Sequence, residues 1–142
     1  MLSHENEVVG VKYFTARVSA TKSDPYKAVH QQLYIRALQQ ITPNLEVIYG
    51  QFATHQVEKN LVTPINGIRP ATVYETTEKG SDANLAVHVV SDAWRNIYDC
   101  AVIVSGDSDL AEAIRLVKGY HPKKVVGVIA PGKTGMSKEA RI

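Results

Sequence analysis

The stretch Cys100-Ala101-Val102-Ile103-Val104-Ser105-Gly106-Asp107-Ser108-Asp109-Leu110 constrains the fold more than any other. Five consecutive apolar residues ending at Ser-Gly are too short for an ordinary helix and suit a strand, here over 100–105, buried on both faces. Leu110, Ile114 and Val117 then recur at helical spacing, which predicts a helix over about 108–118 with Gly119 as its C-cap. The run Val125 to Ile129 supplies the next strand. Two such strands joined by a crossover helix run parallel, because the helix carries the chain back to its starting end.

The same alternation extends upstream. A strand is expected over 8–18, with Val9, Val11 and Tyr13 on one side and Lys12, Phe14 and Ala16 on the other. Asp24-Pro25 opens a helix that stops before Pro43, and its stripe of Val29, Leu33 and Ala37 beside Tyr34, Leu38 and Ile41 is expected to be buried. Leu45 to Tyr49 reads as a short strand. From Gln51 to Pro70 the chain is polar, holds two prolines and a glycine, and shows no clear period, which fits an irregular insert or a hairpin. Ala71 to Thr76 is a strand, and Ser81 is placed as the cap of a helix burying Leu85, Val89, Ala93 and Ile97. The result is an α/β chain with a mainly parallel sheet covered on both faces.

A chain of 142 residues makes one domain, taken here as 1–142. With 44% hydrophobic and 21% charged residues it has the composition of a soluble globular protein. A net charge of +2 permits a polyanionic partner without demanding one. Cys100 is the single cysteine, so no intrachain disulfide can form; it reads as a small buried hydrophobe in a reducing cytoplasm. There is no basic-then-apolar leader and no run of 18 apolar residues, which speaks against secretion and against membrane insertion.

Chemistry concentrates in three acids. In an open α/β sheet, ligands bind beyond the carboxyl ends of the strands. Asp107 and Asp109 follow one strand end and Asp82 another, and Asp82 lies three and seven residues before Leu85 and Val89, which predicts an inward-facing carboxylate. Two carboxylates about 5 Å apart repel by ~3 kcal/mol at an effective dielectric near 20. A divalent cation relieves that repulsion, and clustered oxygen ligands suit Mg²⁺ or Mn²⁺. Acids in the first turn of a helix also oppose its dipole, so Asp109 with Glu112 equally suits an N-cap arrangement. Gly106 and Gly80, ahead of Asp107 and Asp82, free the backbone for the close approach of a ligand.

The segments EKGSDANLAVHVVSDA and YDCAVIVSGDSDLAEAI together resemble the NYN domain, in its LabA-like branch, of the PIN-like nuclease superfamily, over residues 75–131. The resemblance implies a Rossmann-like three-layer sandwich whose acids hold Mg²⁺ or Mn²⁺ for phosphodiester hydrolysis, usually of RNA, with DNA as the other substrate class. Carried over by motif, Asp82, Asp107 and Asp109 are the metal-binding and catalytic acids. Ser105 and Ser108 then orient the carboxylates or cap the helix, with capping favoured for Ser108, and Lys79 and Lys133 are candidates for phosphate contacts. Family members generally open with a strand ending in Asp-Gly-x-Asn, whereas no Asp precedes Asp24 here. That departure implies a domain incomplete at its N-terminus, and it leaves a noncatalytic nucleic-acid or protein interaction module as the alternative.

Other signals carry less. Gly127 to Thr134 satisfies the spacing of a phosphate-binding loop, but Gly127 falls inside an expected strand and Pro131 lacks the N–H that such a loop uses. The five histidines and Cys100 show no zinc spacing. A Toprim-like phosphoryl-transfer site would need a glutamate at an earlier strand end, for which Glu46 and Glu75 are poor fits. Trp94, Tyr98 and Tyr34 sit at helical core spacings and are expected to be buried.

Overall fold

The computed structural model describes residues 6–131. In chain order the elements are β1 (Val11–Ala16), α1 (Lys27–Ile41), β2 (Leu45–Ile65), β3 (Ile68–Lys79), α2 (Ser81–Trp94), β4 (Cys100–Val104), a 3₁₀ turn (Ser108–Leu110), α3 (Ala111–Tyr120) and β5 (Val125–Ile129). The class is mixed α/β, as expected, but the strands form two separate sheets. One has the order β1-β2-β3, the other pairs β4 with β5. β1 runs parallel to β2 and β4 parallel to β5, whereas β2 and β3 are antiparallel. A mainly parallel sheet is therefore only partly realised. β1 and β4 each lie at the margin of their own sheet.

α2 holds the two sheets together. Its Val89 and Ala93 join Ile103 of β4, Leu110, Ile114 and Val117 in the buried core, with Val126 and Val128 of β5 packed alongside. On the adjacent ridge of the helix, Asp92 accepts a 2.6 Å hydrogen bond from Lys12 of β1, whose Nζ also lies 2.9 Å from His88 Nδ1. The ring of His88 meets Phe14 edge-on at 5.5 Å. Asp92 is nearly buried, and Lys12 is the counter-charge that makes its burial tolerable.

Several burial expectations are corrected. β4 and β5 are covered on one face only: Val102, Val104, Val125 and Ile129 on the other face are exposed, and so is Cys100. α1 begins after Asp24, whose side chain accepts from the Tyr26 N–H, and ends at Ile41 as expected. Gln31 ties it to the end of β1 by donating to Ala16 O at 2.7 Å. Yet Ile35 is its one buried residue, and Val29, Leu33, Tyr34 and Ile41 face outward. Trp94 is half exposed and stacks near Tyr120 and His121, while Tyr98 is partly buried and donates to Val89 O. Ile97 lies beyond the end of α2 and is exposed. Gly119 sits inside α3 and His121 is the C-cap.

The segment with no clear period is a hairpin. β2 continues fifteen residues beyond Gly50, its last partner on β1, and pairs from Gln51↔Lys79 to Asn60↔Pro70 before a register shift leads to Ile65↔Ile68. Asn66 (φ 51°) and Gly67 (φ 77°) turn the chain in two residues, both left-handed, the backbone an Asn-Gly hairpin adopts.

Candidate functional site

The corner where β3 gives way to α2 is built around two glycines. A Cβ on Gly50 would sit 2.5 Å from both Glu78 Oε1 and Lys79 O, so the strand passes too closely for any side chain. Gly80 takes φ 97° at the helix N-cap, a conformation that Cβ-bearing residues strongly disfavour. The cap expected from Ser81 comes instead from Glu78, whose Oε1 accepts from Ser81 N–H at 3.2 Å and from Ser81 Oγ at 2.8 Å. Asp82 follows in the first turn. It is exposed rather than inward-facing, because the helix starts at Ser81 and turns this position toward solvent.

At the end of β4 the chain forms a second, local arrangement of acids. Ser105 Oγ accepts from Asp107 N–H at 3.1 Å. Asp107 Oδ1 accepts from Asp109 N–H at 2.9 Å, which makes Asp107 the cap of the 3₁₀ turn and Ser108 its first residue. That corrects the capping role expected of Ser108. The turn delays the α-helix to Ala111, and Leu110 anchors it in the core at 2% exposure.

These two corners face each other closely enough to interact. The Asp82 carboxyl is raised above its ordinary value, first by loss of solvation and then by the negative charges of Asp107, Glu78 and Asp109. Glu78 is the acid that sequence reasoning passed over: it lies in no recognised motif spacing, and its sole sequence signal is its position three residues before Ser81, where a side chain can reach back over the helix start. The convergence is loose. Among the described residues, no three His, Cys, Asp or Glu side chains are gathered tightly enough to hold a metal ion. The oxygen donors thus have the right chemistry for Mg²⁺ or Mn²⁺ without yet forming a closed ligand set.

Beside the acids, an open groove of about 420 Å³ runs between α2 and α3, lined by Ala86, Val87, Val90, Asp109, Ala113 and Leu116. A hollow of similar size on α1, against Leu33, Arg36, Ala37, Gln39 and Gln40, contains none of the acids. Lys79 ends β3, exposed, next to Glu78. Lys133 and the rest of the phosphate-loop-like stretch beyond Pro131 lie outside the described residues; Gly127 is within β5. Glu46 lies 3.7 Å from Lys12 and Glu75 pairs with Lys59 at 2.6 Å, so neither joins the acidic corner.

Residues 15–141 match the NYN domain family. The chain belongs to that family. The match takes in both acid-bearing segments and most of the folded chain, and it places the protein within the PIN-like superfamily. A relative, the 6-hydroxy-3-succinoylpyridine 3-monooxygenase HspA of Pseudomonas putida (strain DSM 28022 / S16), is 30% identical over 133 residues. The alignment covers 88% of this chain and 42% of the relative, so the NYN domain chain spans about two fifths of that protein's length. No solved structure matches. No helix among the described residues of the NYN domain is long and apolar enough to cross a membrane.

Proposed function

We propose that this NYN domain, of the LabA-like branch, is a divalent-metal-dependent nuclease that hydrolyses phosphodiester bonds in RNA. The observation that carries the reading is the approach of acids from separate segments: Glu78 and Asp82 at the β3–α2 corner, and Asp107 and Asp109 after β4, with the Asp82 carboxyl raised first by loss of solvation and then by the charges of Asp107, Glu78 and Asp109. Asp82, Asp107 and Asp109 are the residues to hold Mg²⁺ or Mn²⁺. Asp107 engages one carboxylate oxygen in capping and keeps the other for a ligand. A cation held there would supply a water of lowered pKa and neutralise charge developing on the phosphate. Ser105 holds the turn that presents Asp107 through its bond from the Asp107 N–H, and Lys79, exposed at the end of β3, is the residue assigned to contact phosphate.

Among the described residues β1 and β4 each have one margin without a neighbouring strand, and both send side chains to α2, which supports a domain whose sheet takes one further strand between them. A strand there would join the two sheets and bring its own terminal residue toward the acids. A second reading, a noncatalytic interaction module, is favoured by one specific finding, the absence of a closed three-acid set among the described residues.

Isothermal titration with Mn²⁺ decides between them. Asp107→Asn keeps an oxygen for the Asp109 N–H and so preserves the turn while removing the charge. Binding that this variant abolishes, together with metal-dependent cleavage of single-stranded RNA, is the expected result. RNA left intact in both Mg²⁺ and Mn²⁺, with no heat of binding, leaves the module reading.

A further inference from the structure

The acid corner opens into a groove that hydrolysis itself does not use. On α2 its wall is Ala86, Val87, Val90 and Ser91, which fall in two adjoining rows along the helix. Asp82 heads the first row, because 82, 86 and 90 are spaced by one helical turn and share a face. On the facing side, Asp109 and Glu112 lead to Ala113 and Leu116 along the 3₁₀ turn and α3. Asp109 is thus both a wall of the groove and one of the charges felt by Asp82. The groove starts at the acids and runs away from them. From Asp109 to Leu116 it extends roughly 10 Å, at about 1.5 Å per residue.

Its chemistry is one-sided. Ala86, Val87, Val90, Ala113 and Leu116 make the walls apolar, Ser91 adds one hydroxyl, and the two charged members are both carboxylates. Glu112 is engaged by Arg115 at 2.6 and 2.7 Å, so its charge is already met. No cation lines the groove, and Asp109 repels any phosphate that is not held by a metal ion at the acids. A charged backbone is kept at the mouth, whereas a flat, neutral group is stabilised by leaving water for the walls. At about 420 Å³ the space suits a small ring system.

We infer that this groove is a slot for one unpaired base of the strand whose phosphate is held at Asp82, Asp107 and Asp109. The inference rests on the nuclease reading and adds the form of the substrate. A base turned out of a single strand reaches the slot, but one paired and stacked in a duplex does not. The Ser91 hydroxyl both donates and accepts, so the slot distinguishes a base from none without choosing among bases.

Fluorescence anisotropy on the whole chain tests the slot with two labelled RNA strands of equal length, one with its bases and one abasic throughout. Ca²⁺, a hard oxygen-seeking cation of looser geometry than Mg²⁺, is used in place of the active metal. The strand with bases is expected to bind about tenfold more tightly. Val87 stands 64% exposed on the wall, where a larger side chain fills the groove without entering the core. Val87→Trp should weaken the strand with bases about tenfold and leave the abasic strand unchanged; the smaller Val87→Phe should act about threefold in the same sense, both with the far-ultraviolet circular dichroism unchanged. Leu33→Trp, on the α1 hollow that contains no acid, should change neither strand. Equal weakening of both strands by the Val87 substitutions, or of neither, overturns the slot, and so does equal affinity for the two strands in the unsubstituted protein. Mn²⁺ titration of the same samples separates the two readings: retained binding with no preference for bases sinks the slot alone, whereas an unsubstituted protein that binds no Mn²⁺ removes both.

Discussion

The α2–β4–α3–β5 part of this domain and the β2–β3 ribbon are stabilised in opposite ways. In the first, Ile103, Leu110, Ile114 and Val117 are at or below 4% exposure, and helices from one side seal the strands. In the second, stability rests on the backbone ladder, cross-strand pairs and one two-residue turn. A packed core gains from every buried methyl group, whereas a ribbon gains a few tenths of a kcal/mol per pair and has no interior. The chemistry sits where the two regions meet, at the corner from Glu78 to Asp82.

The sharpest way to break the comparison is to delete equivalent atoms from each region. Leu110→Ala should cost about 2–5 kcal/mol in chemical denaturation, because it leaves a cavity in the core and loosens the turn carrying Asp107 and Asp109. Val62→Ala, at a fully exposed position, should stay within about 0.5 kcal/mol. Similar losses at both sites would mean that the ribbon tip is covered in solution.

A smaller effect is expected at the turn. Gly67→Val forces a β-branched residue to φ 77° and should cost more than about 1 kcal/mol. The loss should be confined to the ribbon: hydrogen exchange should accelerate at 52–78 and remain unchanged in α2 and α3. Uniform acceleration would show that the two regions unfold as one unit.

The smallest effect concerns the junction. Because Asp82 has a raised folded-state pKa, the folded chain holds its proton longer than the unfolded chain does. Stability therefore falls as pH rises from the ordinary aspartate value of 3.8 through the folded value, and the deficit stays constant above it. In chelator, Asp82→Asn should raise the melting temperature at neutral pH, by well under about 1 kcal/mol of stability since the group is exposed and screened. The gain should fade in acid and in high salt. A loss of stability at neutral pH would show that Asp82 has a favourable partner instead.

Legibility followed the same division. The β4–α3–β5 unit could be read because continuous apolar strands and a 3.6-residue stripe have few alternative solutions, and Asp107 and Asp109 were visible because they end that unit. The ribbon was harder to read: its strands carry Thr, Gln, Lys and Glu and are interrupted by Pro64 and Pro70, although Asn66-Gly67 is itself a hairpin signal. Glu78 escaped because capping from before the helix depends on how the backbone turns at Gly80, which residue spacing alone does not reveal.

By itself the sequence determined the class of the elements, the strand ends that carry acids, and membership of the NYN family, since all three depend on local patterns of side chains. Tertiary structure alone decided that Asp82 feels Asp107 and Asp109, that Lys12 compensates Asp92, and that Val102 and Leu33 stay uncovered. Those outcomes depend on which surfaces meet across long stretches of chain, and an apolar stripe declares that it needs a partner without naming one.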